Sequence, residues 1–380
     1  IEYLRFEFFN FNPFNYFAYT QGAFSLIVQY AAYGGIFLVS FISVLIASYL
    51  LKIYLDPAWK KAVPLLLIFI ILAVTPLFIQ DSKQFEQQRQ SIDLLIAKSV
   101  QNENIFKKIE AEISNFSSLL ENSQSQFVFS PAKSLSFDLI RNKYYREQLF
   151  SQFNSNLQAS YLQLGAEAAA EDSYNSEIFN SLFLLSGEME FINRSNQQRN
   201  ILDAVNFPYL KEVTTFLKDY ININSDLVEN RRTAEVVKVE ELNYLNLFAG
   251  EIFVPLVSRK ENFVEGQNLI IYSAAEDNIN SELYKNLSFT AAVYRAAETN
   301  TDLIRTVRGG YSGQIDEWGK TIIKKRIENS NQTIDLILET KTSYYQSQPE
   351  KIINIIFAIL LTITLIKIIL LIKNKWSSRN

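Results

Sequence analysis

The chain has 380 residues, a formal net charge of −4 and a pI near 5.3, and it contains neither His nor Cys. The acidic balance argues against a nucleic-acid partner, which normally requires a basic face. Without imidazole or thiol groups there is no histidine base, thiolate nucleophile or disulfide, and no zinc, haem or iron–sulfur site built on those ligands. No motif organises the remaining acidic, basic and hydroxyl side chains, so the sequence predicts no catalytic residue, no cofactor and no metal site.

The first segment, 1–22, is dense in Phe and Tyr and is interrupted by Asn residues and a proline. Aromatic rings beside a hydrophobic helix suit the headgroup layer of a membrane, where the ring is buried and the polar tip stays wet. We therefore predict an aromatic interfacial segment. The alternative is that these rings pack on a neighbouring subunit or on the rest of the chain.

Two uncharged apolar stretches follow, 23–51 and 62–79, separated by a short polar loop with three lysines. Each is long enough for a helix to cross a hydrocarbon core of about 30 Å. Together they predict a transmembrane helical hairpin over 23–80. Small residues spaced four apart in the first stretch would let another helix approach closely.

A third apolar stretch, 352–373, precedes a basic tail over 374–380 that contains Lys375 and Arg379. Because basic residues favour the cytoplasmic side, the lysine-rich loop and this tail are both predicted to be cytoplasmic. The large region between the second and third stretches then lies outside. Lys367 is near the cytoplasmic end of the third stretch, where its side chain can reach the interface.

Apolar residues in 81–122 recur every seven positions, which predicts an outward stalk helix with coiled-coil character. Residues 314–351 carry apolar positions spaced by threes and fours and predict a returning stalk helix that packs against the first. The seven-residue register of the outward helix is Ile92, Ser99, Phe106, Ile113 and Leu120, and the returning stripe is Ile315, Ile323, Ile327, Ile334 and Leu338.

The region between the stalks, 123–313, is predicted to be a distal helical head. Ser130 and Pro131 suit a helix start, and β-branched and aromatic residues in 251–273 allow a short β-hairpin. The run from Arg308 to Gly313 is rich in glycine, but it lacks the strand-to-helix context of a phosphate loop and predicts a turn between helices. The basic run from Lys320 to Arg326 is interpreted as a solvated face.

These elements together predict an all-α membrane protein with three transmembrane helices and a large, mostly helical, coiled-coil-like extracytoplasmic domain. The predicted function is a non-enzymatic, membrane-anchored structural or scaffold subunit of a larger assembly that makes protein–protein contacts through its stalk and head. Its predicted partners are the lipid bilayer and other membrane-protein subunits, as a hetero- or homo-oligomer, with no nucleic acid. The alternatives are a sensor or receptor with a helical ligand-binding ectodomain, or an oligomeric channel or transporter component.

The predicted location is the bacterial inner (plasma) membrane, with the large domain extracytoplasmic. An organelle inner membrane is the alternative, because the same topology would serve there. The identity of any ligand or partner cannot be read from these residues.

Overall fold

A computed structural model of the chain describes residues 2, 16–55, 87–101, 104–156, 159–169, 178–197, 236–240, 242–255 and 269–339. The described residues contain thirteen strands in two β-sheets, and helices that cover the outer faces of both sheets. The prediction of an all-α fold is therefore wrong: the protein is a mixed α/β protein.

The strands account for most of the region predicted to be helical. Their bounds are β1 Gln87–Ile96, β2 Phe127–Phe129, β3 Leu135–Asp138, β4 Tyr161–Ala169, β5 Ile178–Ser186, β6 Phe191–Asn196, β7 Val236–Val239, β8 Leu242–Phe248, β9 Leu269–Ala275, β10 Asp302–Arg308, β11 Tyr311–Ile315, β12 Thr321–Arg326 and β13 Ser330–Glu339. The first sheet has the order β13-β1-β2-β4-β5-β6, with β3 also paired to β4. The second has the order β12-β11-β10-β9-β8-β7.

The helices form the outer layers of the molecule. They are α1 Ser25–Val28, α2 Ala31–Leu55, α3 Ile105–Leu120, α4 Lys143–Asn156 and α5 Glu282–Thr299, with short 3₁₀ turns at Phe17–Gln21 and Ala249–Phe253. Apolar side chains of α3 and α4 pack on the first sheet. Those of α5, α1 and the first part of α2 pack on the second sheet. The order of layers is thus helix, sheet, sheet, helix.

A core of apolar side chains joins the two sheets face to face. Strands that are buried on both faces read as largely apolar runs, and β9, with the sequence LIIYSAA, has this character. The buried members of this inter-sheet core are Ile92, Leu94, Phe127, Phe129, Leu184, Val237, Val239, Leu242, Tyr244, Leu269, Ile271, Ile304, Ile334 and Leu336.

The parallel strands of both sheets end on the same side of the molecule, which we term the carboxyl edge. β1, β2, β3 and β4 are parallel in the first sheet, as are β8, β9 and β10 in the second. Ala132, just after β2, packs with Phe248 at the end of β8. At the end of β10, Arg308 Nη1 donates a hydrogen bond of 2.9 Å to the carbonyl oxygen of Lys133. We term the opposite side the amino edge.

The predicted pair of stalk helices, and the coiled coil they would form, is wrong. The first predicted stalk contains β1, a connection and then α3, and the second falls on β11, β12 and β13. β1 and β13 do lie side by side, but as antiparallel strands, with Ile92 opposite Ile334. The seven-residue register holds only in α3, where Ile113 and Leu120 face the sheet.

The predicted helical head is also wrong as a helical structure. The helix start expected at Ser130 and Pro131 is the loop between β2 and β3, and β3, α4, β4, β5 and β6 follow it along the chain. Helix α5 lies within the predicted head, but the chain then continues into the strand β10. Within 251–273, β9 is a strand that pairs in parallel with β8 and β10, and 251–253 belong to a 3₁₀ turn.

The first predicted membrane stretch contains a break that ties it to the domain. Gly34 and Gly35 interrupt α2, and Gly35 has a φ of 65° that suits glycine. The carboxylate of Glu298, at the end of α5, accepts a hydrogen bond of 2.7 Å from the backbone N–H of Ile36. The same carboxylate lies 2.9 Å from Arg295, and both side chains are fully buried. The domain thus supplies the N-terminal cap of the second part of α2.

Of the three predicted membrane spans, only the first falls on described residues. Within those residues Ala31–Leu51 is the one helical stretch long and apolar enough to cross a membrane. The spans predicted at 62–79 and 352–373, and the basic tail, lie outside the described residues. Of the predicted aromatic segment, Tyr16 and Tyr19 are buried against Phe37 and Tyr294, so these rings pack on the domain.

Candidate binding site between the sheets

The layer between the two sheets changes from apolar to polar as it approaches the carboxyl edge. Ile271 and Ile304 belong to the inter-sheet core, and two residues farther along the same strands stand Ser273 and Thr306. Because alternate side chains of a strand share a face, these hydroxyls point into the same layer. Five buried polar side chains, each at most 5% exposed, form what we term the polar layer: Gln163, Asn180, Asn246, Ser273 and Thr306.

Hydrogen bonds locate the two asparagines of the polar layer. Asn246 Nδ2, on β8 of the second sheet, donates a 3.0 Å hydrogen bond to Ser195 Oγ on β6 of the first sheet, so it spans the layer. Asn180 Nδ2, on β5, donates a 2.9 Å bond to Gln197 Oε1 just beyond β6. Each asparagine therefore uses its amide nitrogen within the protein and leaves its carbonyl oxygen available.

Several atoms of the polar layer are buried without a hydrogen-bond partner in the described structure. They are both amide atoms of Gln163, Oδ1 of Asn180 and of Asn246, Oγ of Ser273 and Oγ1 of Thr306. Folded proteins satisfy most buried polar groups, since an unpaired one costs about 1–3 kcal/mol. A set of unpaired donors and acceptors in one layer can bind a neutral group that both donates and accepts, such as a carboxamide.

Tyr244 lies at the border between the apolar core and the polar layer. It is two residues before Asn246 on β8, it is fully buried, and its ring packs edge-on against Phe129 at 5.5 Å. Its hydroxyl has no partner in the described structure, and burial raises the pKa of Tyr244 far above its ordinary value. The hydroxyl therefore stays protonated and adds one more possible donor.

The loop of residues 130–134, between β2 and β3, closes the polar layer at the carboxyl edge. Ala132 in this loop packs against Leu182 and Phe248. The loop lies so close to β4 that a Cβ on Gly165 would stand 2.0 Å from the carbonyl oxygen of Pro131. Lys133 has a φ of 54°, a conformation that non-glycine residues rarely adopt. Such strain is often found in segments that control access to a site.

Charged side chains surround this loop on the outside. Lys133 Nζ lies 3.6 Å from the Glu167 carboxylate, and Arg308 Nε lies 3.2 Å from that of Asp277. The first pair is about 40% exposed and the second is half-buried. All four charged groups lie outside the polar layer, and none of the five side chains of that layer is charged.

A second polar cluster lies on the helix-facing side of the second sheet. Arg305 Nη2 is 3.6 Å from Glu276, and Ser288 Oγ donates a 2.7 Å hydrogen bond to the same carboxylate. The Arg305 guanidinium also stacks over the Tyr272 ring at 4.5 Å. Since these groups join α5 to β9 and β10 and are separated from the polar layer by the sheet, we assign them a structural role.

The residues that the sequence singled out do not meet at this site. The glycine-rich run at Arg308–Gly313 is a tight turn between β10 and β11, with Gly309 at a φ of 74°. The basic run ends on β12, an edge strand, where Arg326 pairs with Glu282 at 2.7 Å in an exposed position. Lys367 lies outside the described residues.

Sequence reasoning missed every residue of the polar layer. Gln163 stands in the largely apolar YLQLGA and Asn246 in NYLNLF, whereas Thr306 follows Arg305 in LIRTVR. A lone amide or hydroxyl in a strand buried on both faces was the signal, because such a group needs a partner that the strand does not supply. The signal is readable only once the segment is recognised as a strand.

No protein-family model matches the chain. No curated protein matches it either. Among solved structures, the chain is similar to a CN-hydrolase superfamily protein of Xanthomonas campestris, with 14% identity, a TM-score of 0.48, and coverage of 66% of this chain and 91% of that one. It is also similar to the NitFhit protein of C. elegans, with 12% identity, a TM-score of 0.48, and coverage of 66% of this chain and 61% of that one.

The predicted function of a non-enzymatic structural or scaffold subunit is wrong, and so are its two alternatives. The scaffold and the sensor or receptor were both predicted to act through a helical ectodomain, and the described residues of that region form a two-sheet α/β sandwich. The channel or transporter component rested only on the small residues of the first apolar stretch. The prediction that the chain is not an enzyme is wrong as well. Its basis was the absence of any organised polar cluster in the sequence, whereas the described residues contain one in the polar layer.

Proposed function

We propose that the protein is a membrane-tethered domain that binds a small neutral molecule in the polar layer. The observation that supports this most directly is the set of unpartnered amide and hydroxyl atoms between the sheets at the carboxyl edge. In α/β proteins, ligands commonly bind beyond the carboxyl ends of parallel strands. In this protein the carboxyl ends of the parallel strands of both sheets flank the polar layer.

The chemistry of the polar layer selects against a charged ligand. None of its five side chains is ionisable, so an ion placed among them would lose its hydration without gaining a counter-charge. Its carbonyl oxygens accept hydrogen bonds, the Gln163 amide nitrogen donates them, and the hydroxyls of Ser273 and Thr306 do either. A primary or secondary carboxamide, or a urea, matches this mixture.

The 130–134 loop is the element that would move to admit the ligand. Its start is fixed, because Ser130 is hydrogen-bonded to Gln163 and Gly165 of β4. Its middle is held by contacts that can be broken and remade, namely a hydrogen bond from Arg308 and an ion pair at Lys133, and the small apolar contact of Ala132. The left-handed backbone at Lys133 favours release of the closed form. Binding then competes with loop closure.

The tether is assigned to α2. After Ser43 its side chains turn from buried to mostly exposed, although they are apolar, as in Val44, Leu50 and Leu51. An apolar helix surface of this kind is unfavourable in water and favourable in lipid. The predicted location in a membrane, with the domain extracytoplasmic, remains part of this proposal.

Alkylation of an engineered cysteine tests the binding site. Because the chain has no native cysteine, Ser273→Cys in the detergent-solubilised full chain carries the only thiol. Iodoacetamide and iodoacetate are nearly equal in size and differ in charge. The ratio of their rates at residue 273 should exceed the ratio at an exposed thiol, Ile322→Cys, by about tenfold or more, since burying a charge is costly. Added propionamide should slow the reaction at residue 273.

A cysteine at a buried position outside the polar layer serves as a control for reaction through local unfolding. Ala292→Cys, fully buried on α5 against the second sheet, should react slowly with both reagents and gain no protection from propionamide. If Ser273→Cys behaves like Ala292→Cys, the polar layer does not admit ligands and the proposal fails. Equal rates for the two reagents at residue 273 would overturn the selection for neutral molecules.

A further inference from the structure

Three helices that flank the sheets begin with the same kind of residues. The first turn of α3 reads Ile-Phe-Lys-Lys from residue 105, that of α4 reads Lys-Tyr-Tyr-Arg from 143, and that of α5 reads Glu-Leu-Tyr-Lys from 282. Each turn combines large apolar or aromatic side chains with basic ones. We term these three the first turns.

All three first turns lie at the carboxyl edge. α3 follows β1, α4 follows β3 and α5 follows β9, and each of these strands belongs to a parallel set that ends there. α3 and α4 cover the first sheet and α5 covers the second. The first turns therefore flank the polar layer from both outer faces of the sandwich.

Their apolar side chains are unusually exposed. Phe106 is 61% exposed, Tyr144 is 72% and Leu283 is 78%, and Ile105 beside them is 50% exposed. Among described residues beyond α2, the other exposed large apolar side chains are Phe191, Ile192 and Ile322, which are 43%, 45% and 48% exposed and lie at the amino edge. Single exposed apolar residues are ordinary, but here they recur at one structural position in three separate helices.

The charge of the first turns is opposite to what helices prefer. The N-terminal end of a helix carries a partial positive charge and favours acidic side chains. α3 and α4 have no acidic residue in the first turn. In α5 the carboxylate of Glu282 is engaged by Arg326 and by the Tyr311 hydroxyl. Arg146 donates to the carbonyl oxygens of Leu139 and Ile140, and Lys108 pairs with Glu112. Lys107 and Lys285 are therefore the basic groups of the first turns that indicate an anionic partner outside the domain.

Helix α2 is directed to the same edge. Ile36 is bonded to Glu298 at the end of α5. One turn later Ser40 Oγ accepts from the Ala18 backbone N–H, while Tyr294, one turn earlier in α5, donates to the Ala18 carbonyl oxygen. The two helices are therefore antiparallel, and α2 advances toward the start of α5, at the carboxyl edge. Its apolar surface becomes exposed on the way.

We infer that the carboxyl edge of the sandwich rests on an anionic lipid surface, with the first turns of α3, α4 and α5 inserted among the headgroups. Apolar and aromatic side chains bury in the interface while neighbouring lysines meet lipid phosphates, as in amphipathic membrane-binding helices. This inference rests on the tether of the proposed function but is independent of what the polar layer binds. It places the 130–134 loop against the membrane.

Single cysteines in the cysteine-free full chain test this arrangement. Phe106→Cys, Tyr144→Cys and Leu283→Cys probe the carboxyl edge, and Ile192→Cys and Ile322→Cys, which are 45% and 48% exposed in the unsubstituted chain, are the amino-edge controls. Each variant is labelled with an environment-sensitive fluorophore and reconstituted in nanodiscs of phosphatidylcholine with or without phosphatidylglycerol. Nitroxide-bearing lipids should quench the carboxyl-edge probes several-fold more than the controls.

Charge reversal provides the second measurement. Lys107→Glu and Lys285→Glu should each weaken lipid quenching of the Tyr144→Cys probe in the anionic discs, with the docked population falling about fivefold per basic residue replaced. Lys238→Glu, on β7 away from the first turns, should have no such effect. Equal quenching at both edges, or no response to phosphatidylglycerol, overturns the docking surface. If the full chain is soluble without detergent or lipid, both the membrane tether at α2 and the docking of the carboxyl edge are wrong. If docking fails but alkylation at residue 273 is selective for the neutral reagent, the proposed ligand binding still holds.

Discussion

At the scale of single residues, the polar layer lowers the stability of the empty domain. The Thr306 hydroxyl is fully buried and has no partner in the described structure, so folding removes it from water without replacing its hydrogen bonds. Thr333 is the opposite case, since its hydroxyl donates a 2.6 Å hydrogen bond to Asp93. Comparing the two threonines distinguishes a hydroxyl without a hydrogen-bond partner, at Thr306, from one that stabilises the fold through a hydrogen bond, at Thr333.

We expect Thr306→Val to raise the free energy of unfolding by about 1 kcal/mol, because valine has nearly the same shape and no polar atom to desolvate. Thr333→Val should lower it by a similar amount or more. Denaturant unfolding of the full chain in mild detergent, with both variants measured beside the unsubstituted protein, gives the answer. A loss of stability in Thr306→Val would show that its hydroxyl has a structural partner in the folded chain.

The candidate site could not have been predicted from residue types alone. Ser273 and Thr306 are 33 positions apart in sequence and become neighbours only because β9 and β10 pair in parallel. The absence of His and Cys was read as an absence of sites, but amide and hydroxyl groups bind neutral molecules without either. What the sequence did contain was the anomaly of a polar residue in an otherwise apolar strand.

At the scale of elements, Asp93 joins β1 to both of its neighbours. Its carboxylate accepts hydrogen bonds from Ser123 Oγ at 2.6 Å and from two backbone N–H groups before β2, and it accepts a 2.6 Å bond from Thr333 on β13. Burial alone would raise its pKa, but these hydrogen bonds outweigh burial and hold the pKa of Asp93 below its ordinary value of 3.8. The charged form is therefore the one that the fold stabilises.

A depressed pKa in the folded state predicts a defined pH dependence. The stabilisation from Asp93 is complete above pH 3.8, the unfolded value, and is lost as pH falls through the lower folded value. Asp93→Asn should cost about 2 kcal/mol at neutral pH and remove part of the acid-induced loss of stability. Asp335→Asn, on β13, keeps Asp93 and should keep the full loss. Unfolding free energies measured from pH 7 to acid decide between these outcomes.

The sequence predicted helices best where one face of the element is exposed. α3 and α5 were found because their apolar positions recur at helical spacing, with Ile109, Ile113 and Phe116 buried in α3. β1 was taken as part of the same helix because Ile92 fits a seven-residue register with Ile113 and Leu120, and that register does not show where the strand ends and the helix begins. In β13 the alternation of Ile334, Leu336 and Leu338 was present, but it was read within a longer helical pattern.

At the scale of the whole molecule, one apolar layer unites the two sheets. Ile304 in the second sheet is fully buried in this layer together with Leu184 and Phe127 of the first sheet. Ile322 belongs to the same sheet as Ile304 but is 48% exposed on the edge strand. Since the layer is shared, the two sheets should gain and lose stability together.

We expect Ile304→Ala to lower the free energy of unfolding by about 2 to 5 kcal/mol, because it leaves a cavity between the sheets. Ile322→Ala should change it by no more than about 0.5 kcal/mol. Hydrogen exchange followed by mass spectrometry should show that Ile304→Ala reduces protection in β4 and β5 as well as in β9 and β10. Loss of protection confined to the second sheet would mean that the sheets are separate cooperative units.

The overall architecture was the least predictable level. The apolar stretches could be delimited by composition, but the sheets pair segments far apart in sequence, such as β1 with β13. No local pattern reports such a pairing. The prediction of two stalk helices that pack together placed Ile92 near Ile334, which are indeed opposite each other, but in antiparallel strands rather than in helices.

The cap that Glu298 provides to Ile36 has a practical consequence for producing this protein. Truncating the chain before β1 to obtain a water-soluble form would strip the cover from α5 and leave the buried Glu298–Arg295 pair facing an open surface. Such a truncated chain should be more stable if Arg295 and Glu298 are both replaced with apolar residues of similar volume. The apolar helix and the two-sheet sandwich thus depend on each other at this junction, and a foreign anchor could not be grafted in place of α2 without redesigning it.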